Sequence, residues 1–265
     1  MSLQRDVRAL LASARSALAT GQAGLGAVRT ALLRPRRFFR SSPYGDSLAI
    51  GIGVVLLVAI ALTVGILALG VVFDATIDAT VTVDNPDRPD DWVCKQLGGD
   101  ADSRMYEACQ EPEQIDRDLG SMLREATSGF LHYGFLGVGL WWLLAAGVVH
   151  VGARAAGGGG TIRDSLTVAA WALVPELLRL AVGISAIYYA IENTTIEAAS
   201  PEAFRDELLV AFAGIETPLL VVSVATIAWQ WWILRGGVTE RHDVSTLAAG
   251  TVAGAFAVIT LLIAV

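Results

Sequence analysis

Ser47–Phe73 has the sequence SLAIGIGVVLLVAIALTVGILALGVVF, and this stretch decides the fold. Its 27 residues include no charged side chain. At 1.5 Å per residue, a helix of this length is about 40 Å long and exceeds the ~30 Å hydrocarbon core of a bilayer. The stretch therefore predicts a transmembrane helix that tilts or protrudes.

The rest of the chain has the same apolar character. Of its 265 residues, 54% are hydrophobic and only 17% are charged, whereas ordinary globular domains have about 25% charged residues. Four further apolar blocks predict transmembrane helices at residues 130–151, 165–191, 218–234 and 245–265, all within the segment 129–265. The sequence therefore predicts an all-α integral membrane protein, a bundle of five transmembrane helices in which residues 47–73 are the first.

Residues 74–128 are the only long polar segment between predicted spans, and we call them the acidic segment. They contain 14 acidic and 5 basic residues. The pattern predicts a strand over Ala75–Val83 and a helix from about Pro112 to Ser128, in a small extracytoplasmic domain.

Both cysteines of the protein, Cys94 and Cys109, lie in the acidic segment. Two cysteines in one exposed segment predict a disulfide if this side of the membrane is oxidising. Two cysteines without a nearby histidine make a poor zinc site, because structural zinc takes four ligands. The disulfide would contribute roughly 3 kcal/mol by the chain-entropy estimate.

Residues 1–46 form a basic segment before the first span. Apolar residues at helical spacing predict an amphipathic helix over residues 1–33, and two interpretations stay open. The helix lies among anionic lipid headgroups, or it is a solvated helix or frayed tail. The cluster Arg34-Pro35-Arg36-Arg37-Phe38-Phe39-Arg40 is expected to hold the terminus in the cytoplasm, with its aromatic rings at the membrane interface.

Charge counts predict the orientation. With the N-terminus inside, cytoplasmic segments hold 12 basic and five acidic residues, and outer segments hold 20 acidic and six basic residues. This satisfies the positive-inside rule and predicts a multi-pass protein of the plasma membrane with its C-terminus outside. Lys95 is the only lysine, and this usage indicates either a halophilic origin or codon bias.

The loop after the third predicted span also falls on the outer side. Asn193-Thr194-Thr195 is a glycosylation sequon there, either used or too near the membrane to be used. Ser200-Pro201-Glu202 is a helix-start pattern that predicts a short amphipathic helix ending near Ala213.

Gly157, Gly158, Gly159 and Gly160 form a predicted hinge between the second and third spans. Thr161 follows as a helix N-cap with Asp164 three residues on, which predicts a capping box. The orientation places this hinge in the cytoplasm, where its N–H groups would face cytosol and anionic headgroups. The alternative interpretation is a tight turn without a ligand.

The third predicted span carries Pro175, Glu176 and Arg179 inside it. Each charge near the bilayer centre costs about 2.5–3.5 kcal/mol, so both side chains should face protein or water. They either neutralise each other between packed helices or line an ion, proton or headgroup path. Glu216 lies toward the outer side, where water can reach it.

The sequence carries no motif of soluble catalysis. It has no nucleotide-binding loop and no histidines at metal-ligand spacing, and His150 near the end of the second span is interpreted as an interfacial hydrogen-bonding residue. We therefore expect no enzyme activity, no cofactor, no metal and no nucleic-acid partner.

The arrangement resembles the Yip family of five-span membrane proteins (Ypt/Rab-interacting proteins), in its prokaryotic branch. The resemblance rests on the segment from Leu33 to Phe39 before the first span, and on His150 followed by Gly158–Leu166 and Ala170–Leu178. The sequence departs from the family pattern at Ile162 and Trp171, which replace the usual aromatic residues of the motif.

The resemblance implies an all-α bundle without enzyme activity and a role in membrane organisation, trafficking or assembly. We expect a scaffold or adaptor that binds lipids and either an unidentified membrane or cytosolic protein or a second copy of itself. The alternatives are a transport component, such as a conducting bundle or the permease-like partner of an exporter, and an intramembrane enzyme.

Overall fold

The structure, a computed structural model, describes residue 24 and residues 26–96, 104–194 and 201–264. This described part contains five helical segments long and apolar enough to cross a membrane, as the sequence predicts. They are Leu48–Thr76, Leu119–Ala155, Ile162–Glu192, Glu216–His242 and Thr246–Ile263. The predicted helix over residues 1–33 lies largely outside the described residues.

The elements that we use below follow in chain order. They are α1 (residues 26–33), α2 (Pro35–Ser41), α3 (Pro43–Asp46), α4 (Leu48–Thr76), β1 (Thr80–Asp84), α5 (Asp91–Gln96), α6 (Arg104–Gln110), β2 (Gln114–Asp118), α7 (Leu119–Gly129), α8 (Leu131–Ala155), α9 (Ile162–Ala172), α10 (Glu176–Glu192), α11 (Pro201–Ala213), α12 (Glu216–His242) and α13 (Thr246–Ala264).

The chain divides into two compact units. The first contains the described residues of Met1–Thr63, His132–Val182 and Leu220–Val265, and the second contains Val64–Leu131 and Gly183–Leu219. We describe each unit by itself.

The core of the first unit joins short helix α2 to the membrane helices. Phe38 and Phe39 are fully buried there and belong to one cluster with Trp171, Ile233 and residues of α8 and α13. The ring centroids of Phe38 and Trp171 lie 4.7 Å apart in an edge-to-face arrangement. These aromatic rings therefore pack against α9 and α12 inside the protein. Their position at the membrane interface stays a prediction.

The second unit has a small core beneath a two-stranded antiparallel sheet. Strand β1 pairs with β2 in a register that sets Val81 opposite Arg117. Alternating Thr-Val residues in β1 place Val81 in the core while Thr80 and Thr82 stay outside it. Val81 packs in one cluster with Leu119 and Phe204.

The structure changes two predictions for the acidic segment. The strand predicted at Ala75–Val83 begins only at Thr80, because α4 continues to Thr76. The predicted helix near Pro112–Ser128 begins only at Leu119. Its first part forms β2 instead, because β1 supplies a pairing partner.

The third span is two helices rather than one continuous helix. Helix α9 ends at Ala172 and α10 begins at Glu176, on either side of Pro175. Proline has no N–H to donate and its ring excludes the preceding helical carbonyl, so the regular ladder stops. The backbone N–H of Leu173 instead donates to Ala170, three residues back.

The fourth span is longer than predicted at its C-terminal end. The sequence predicts an end at Leu234, before Gly236 and Gly237, but α12 continues to His242. A Cβ at Gly236 would lie 2.8 Å from Pro35 Cβ, and one at Gly237 would lie 2.6 Å from Val168 Cγ1. These glycines therefore permit close helix packing and do not end the helix.

The other boundaries differ less. Helix α8 runs to Ala155 instead of 151, α4 spans Leu48–Thr76 instead of 47–73, and α11 follows the predicted amphipathic helix to Ala213.

Candidate functional site

The glycine hinge is a packed turn in the first unit. Gly157 adopts a left-handed conformation with φ of 81°, which glycine adopts without strain. The N–H of Gly158 donates to the Ala153 carbonyl at 2.8 Å, and that of Gly159 donates to the His242 carbonyl at 2.9 Å. The expectation that these N–H groups face anionic headgroups is therefore wrong, because backbone carbonyls already accept their hydrogen bonds.

The predicted capping box starts α9. The Thr161 hydroxyl accepts from the Asp164 N–H, and the Asp164 carboxylate accepts from the Thr161 N–H at 2.8 Å. The Thr161 hydroxyl also donates to this carboxylate at 2.6 Å. The box satisfies two orphan N–H groups and directs the chain from the glycine turn into the third span.

A buried polar cluster, which the sequence did not reveal, lies beneath the glycine turn. The Ser165 hydroxyl is 3.1 Å from Nε2 of His242 and 3.3 Å from Nδ1 of His150. Ser165 and His242 are completely buried, and Nδ1 of His242 has no hydrogen-bond partner within the described chain. The predicted hydrogen-bonding role of His150 agrees with this geometry.

This cluster joins three elements that are distant in sequence. His150 belongs to α8, Ser165 to α9, and His242 is the last residue of α12. A Cβ on Gly160 would collide with the His242 ring. Glycine at this position therefore lets the turn close over the imidazole, a requirement that no local sequence signal carries.

Glu176 and Arg179 form an ion pair at the beginning of α10. The Glu176 Oε2 and Arg179 Nε atoms are 2.9 Å apart. The amide of Gln230 on α12 donates to Glu176 Oε1 at 2.7 Å. The carboxylate is thus neutralised and held by a second helix, and the Arg179 side chain keeps 37% of its surface exposed.

Buried polar atoms without partners occur in the same unit. Among the described residues these include Nε1 of Trp171, Oγ1 of Thr226 and Oε1 of Gln230. Thr226 and Gln230 are one helical turn apart on α12. Such orphaned atoms are costly in an apolar interior unless a polar group reaches them.

Ion pairs attach the basic N-terminal segment to α12. Glu240 accepts hydrogen bonds from Arg36 at 2.9 Å and from Arg40 at 2.8 Å. The Glu240 carboxylate raises the pKa of Arg40 through its hydrogen bond and its charge. Arg241 makes a second attachment, because its guanidinium donates to the Gly45 carbonyl at 2.7 Å and pairs with Asp46.

The remaining predicted site residues belong to the second unit. Glu216 is exposed at the beginning of α12, and the exposed Asn193 side chain donates to the Tyr189 carbonyl at 2.8 Å. Thr195 of the sequon lies outside the described residues. Cys94 and Cys109 form a disulfide between α5 and α6, and nearby Arg88 lowers the pKa of Asp91 by hydrogen bonding and charge.

A model of the Yip1 domain matches residues 29–265, which include every membrane helix and the sites described above. The chain belongs to the Yip1 domain family. A comparison with curated proteins found no match, and neither did a comparison with solved structures.

The Yip1 domain therefore includes the glycine turn, the capping box, the histidine–serine cluster and the intramembrane ion pair. Its described residues contain no group of three or more His, Cys, Asp or Glu side chains placed to hold a metal ion. These contacts neutralise charge, and their hydrogen bonds join helices that are distant in sequence.

Proposed function

We propose that this Yip1-domain protein is a non-enzymatic scaffold or adaptor in membrane organisation, trafficking or assembly. The observation that supports it most directly is the contact of Glu176 with both Arg179 and Gln230. A charged pair that is mutually neutralised and hydrogen-bonded to a neighbouring helix joins helices together, whereas a conducting path needs groups that exchange partners with an ion.

The attachment of the N-terminal segment supports the same proposal. Buried Phe38 and Phe39 join α2 to the membrane helices, and Glu240 holds two of its arginines. A scaffold needs a rigid surface at the membrane, and this attachment supplies one. In this proposal the protein lies in the plasma membrane with its N-terminus in the cytoplasm, its C-terminus outside, and a protein partner or second copy bound to it.

A transport component is the second candidate. The interruption of the third span at Pro175 favours it, because many transporters place their binding sites at broken membrane helices. The orphaned polar atoms of Thr226 and Gln230 favour it as well, since a polar solute would satisfy them. Against it stands the carboxylate of Glu176, which Arg179 already neutralises.

Charge replacement distinguishes the two functions. In the scaffold, E176Q and R179Q each leave one unpaired intramembrane charge and lose roughly 2–3 kcal/mol of stability. The double variant E176Q/R179Q recovers most of that loss. Thermal unfolding of the detergent-solubilised protein measures this, with exposed E216Q as the matched control that leaves stability unchanged.

A second measurement addresses the partner. Purification of the wild-type protein and the double variant from native membranes should recover the same protein partner or a dimer. If all the variants remain folded while reconstituted vesicles lose an ion or solute flux, the scaffold proposal is rejected in favour of transport.

A further inference from the structure

A cleft opens between α1 and the α2–α3 segment, directly before the first membrane helix. Its volume is about 280 Å³, and residues from Gly26 to Tyr44 line it. This is at the lower limit of small-molecule sites, which begin near 300 Å³. Helix α3 ends at Asp46 and α4 begins at Leu48, so the cleft adjoins the end of a candidate membrane span.

The cleft has a basic side chain that is available to a ligand. Arg36 and Arg40 are paired with Glu240, and Arg241 is paired with Asp46. Arg37 lines the cleft, is exposed, and makes no ion pair with any described residue. Its guanidinium therefore offers its full set of donors to an anion from outside the chain.

Of the four hydroxyl groups that line the cleft, those of Ser42 and Tyr44 keep an O–H to donate. The Ser42 oxygen accepts from the Tyr44 N–H at 3.3 Å, so its O–H is free to donate. The Tyr44 hydroxyl makes no hydrogen bond with the described residues. Thr30 and Ser41 donate their O–H groups to carbonyls of their own helices. The residues that line the cleft include no carboxylate.

An arginine with free hydroxyl donors and no opposing carboxylate matches the chemistry of a phosphate. Exposed Pro43 also lines the cleft and can contact the carbon atoms next to that phosphate. We propose that this cleft binds the phosphate of an anionic phospholipid headgroup through Arg37, Ser42 and Tyr44. The proposal deepens the scaffold function and rests on it only for the presence of a bilayer.

Native mass spectrometry of the full chain in detergent tests lipid binding directly, with short-chain phosphatidylglycerol and phosphatidylcholine as probes. We expect phosphatidylglycerol to bind more tightly than phosphatidylcholine. R37Q should weaken the first phosphatidylglycerol site about tenfold, as expected for a lost charge-assisted hydrogen bond. S42A should weaken it by a smaller factor, which checks the site without a change of charge.

R34Q is the matched control, because Arg34 is exposed, makes no ion pair with the described residues and does not line the cleft. Its effect should stay within twofold. An equal loss in R34Q and R37Q would overturn the site in favour of diffuse attraction. Inorganic phosphate should fail to displace the lipid, and displacement at equal concentration would overturn the lipid assignment. Because helix pairing and partner recovery are measured separately, either proposal can fail without the other.

Discussion

At the scale of the residue, small side chains decide how closely the first unit packs. Gly236 and Gly237 lie inside α12, where glycine normally costs about 1 kcal/mol relative to alanine. Their close approach to Pro35 and Val168 repays this cost, because it buries Phe38 and Phe39 against the membrane helices. Helix propensity at these positions is thus overridden by tertiary packing.

Gly237→Ala should destabilise the protein by about 1–3 kcal/mol through overpacking. The added Cβ would lie 2.6 Å from Val168 Cγ1 and 3.0 Å from Phe39 Cε2. Gly147→Ala is the control, because a Cβ at Gly147 meets no atom within 4 Å, and it should be neutral or slightly stabilising. Thermal unfolding in detergent measures both, and equal melting temperatures would contradict the packing argument.

At the scale of the element, α2 is held by two forces of different size. Its ion pairs to Glu240 involve arginines with 51% and 67% of their side chains exposed. Exposed pairs contribute only about 0.2–1 kcal/mol each because water and salt screen them. Phe38 is completely buried, and truncating a buried phenylalanine to alanine costs about 3–5 kcal/mol. Apolar burial therefore dominates the attachment.

Phe38→Ala should release residues 34–46, whereas Glu240→Gln should leave them docked with slightly faster exchange. Hydrogen–deuterium exchange over this segment measures the difference. The two variants separate the apolar and ionic contributions because each removes one of them. Rapid exchange in Glu240→Gln equal to that of Phe38→Ala would show instead that the ion pairs hold the helix.

At the scale of the whole molecule, the charge distribution along the chain predicts one orientation. The basic residues gather before the first span and in two later loops, and the acidic segment lies between the first two spans. The Cys94–Cys109 disulfide fits an oxidising compartment on the side of the acidic segment. Both features agree with a cytoplasmic N-terminus.

Cysteine labelling tests this orientation in a background without native cysteines, C94S/C109S. A maleimide that does not cross membranes should label Asn193→Cys in intact cells, because that exposed position follows the third span. Ser41→Cys should be labelled only after lysis. The opposite pattern would reverse the orientation and with it the assignment of the acidic segment to the outside.

The sequence alone determined the five membrane helices, the capping box of Thr161 and Asp164, and the family resemblance. Each depends on composition or on spacing within a few residues, which physical chemistry translates directly into local structure. Pro175 is equally visible in the sequence, but the apolar stretch around it predicts one continuous helix, because lipid favours long helices. The structure interrupts that helix, because proline removes a backbone donor.

Only the tertiary structure decided which distant residues meet. Arg36 and Glu240 are 204 positions apart, and Ser165 and His242 are 77 apart. No local pattern encodes such pairs, because close packing of whole helices selects them. The same reason explains why α12 continues through Gly236 and Gly237 and why Phe38 is buried. The helical spacing of Glu176 and Arg179 predicts their pairing from the sequence. The hydrogen bond from Gln230 to Glu176 depends on the packing of α10 against α12, which only the tertiary structure shows.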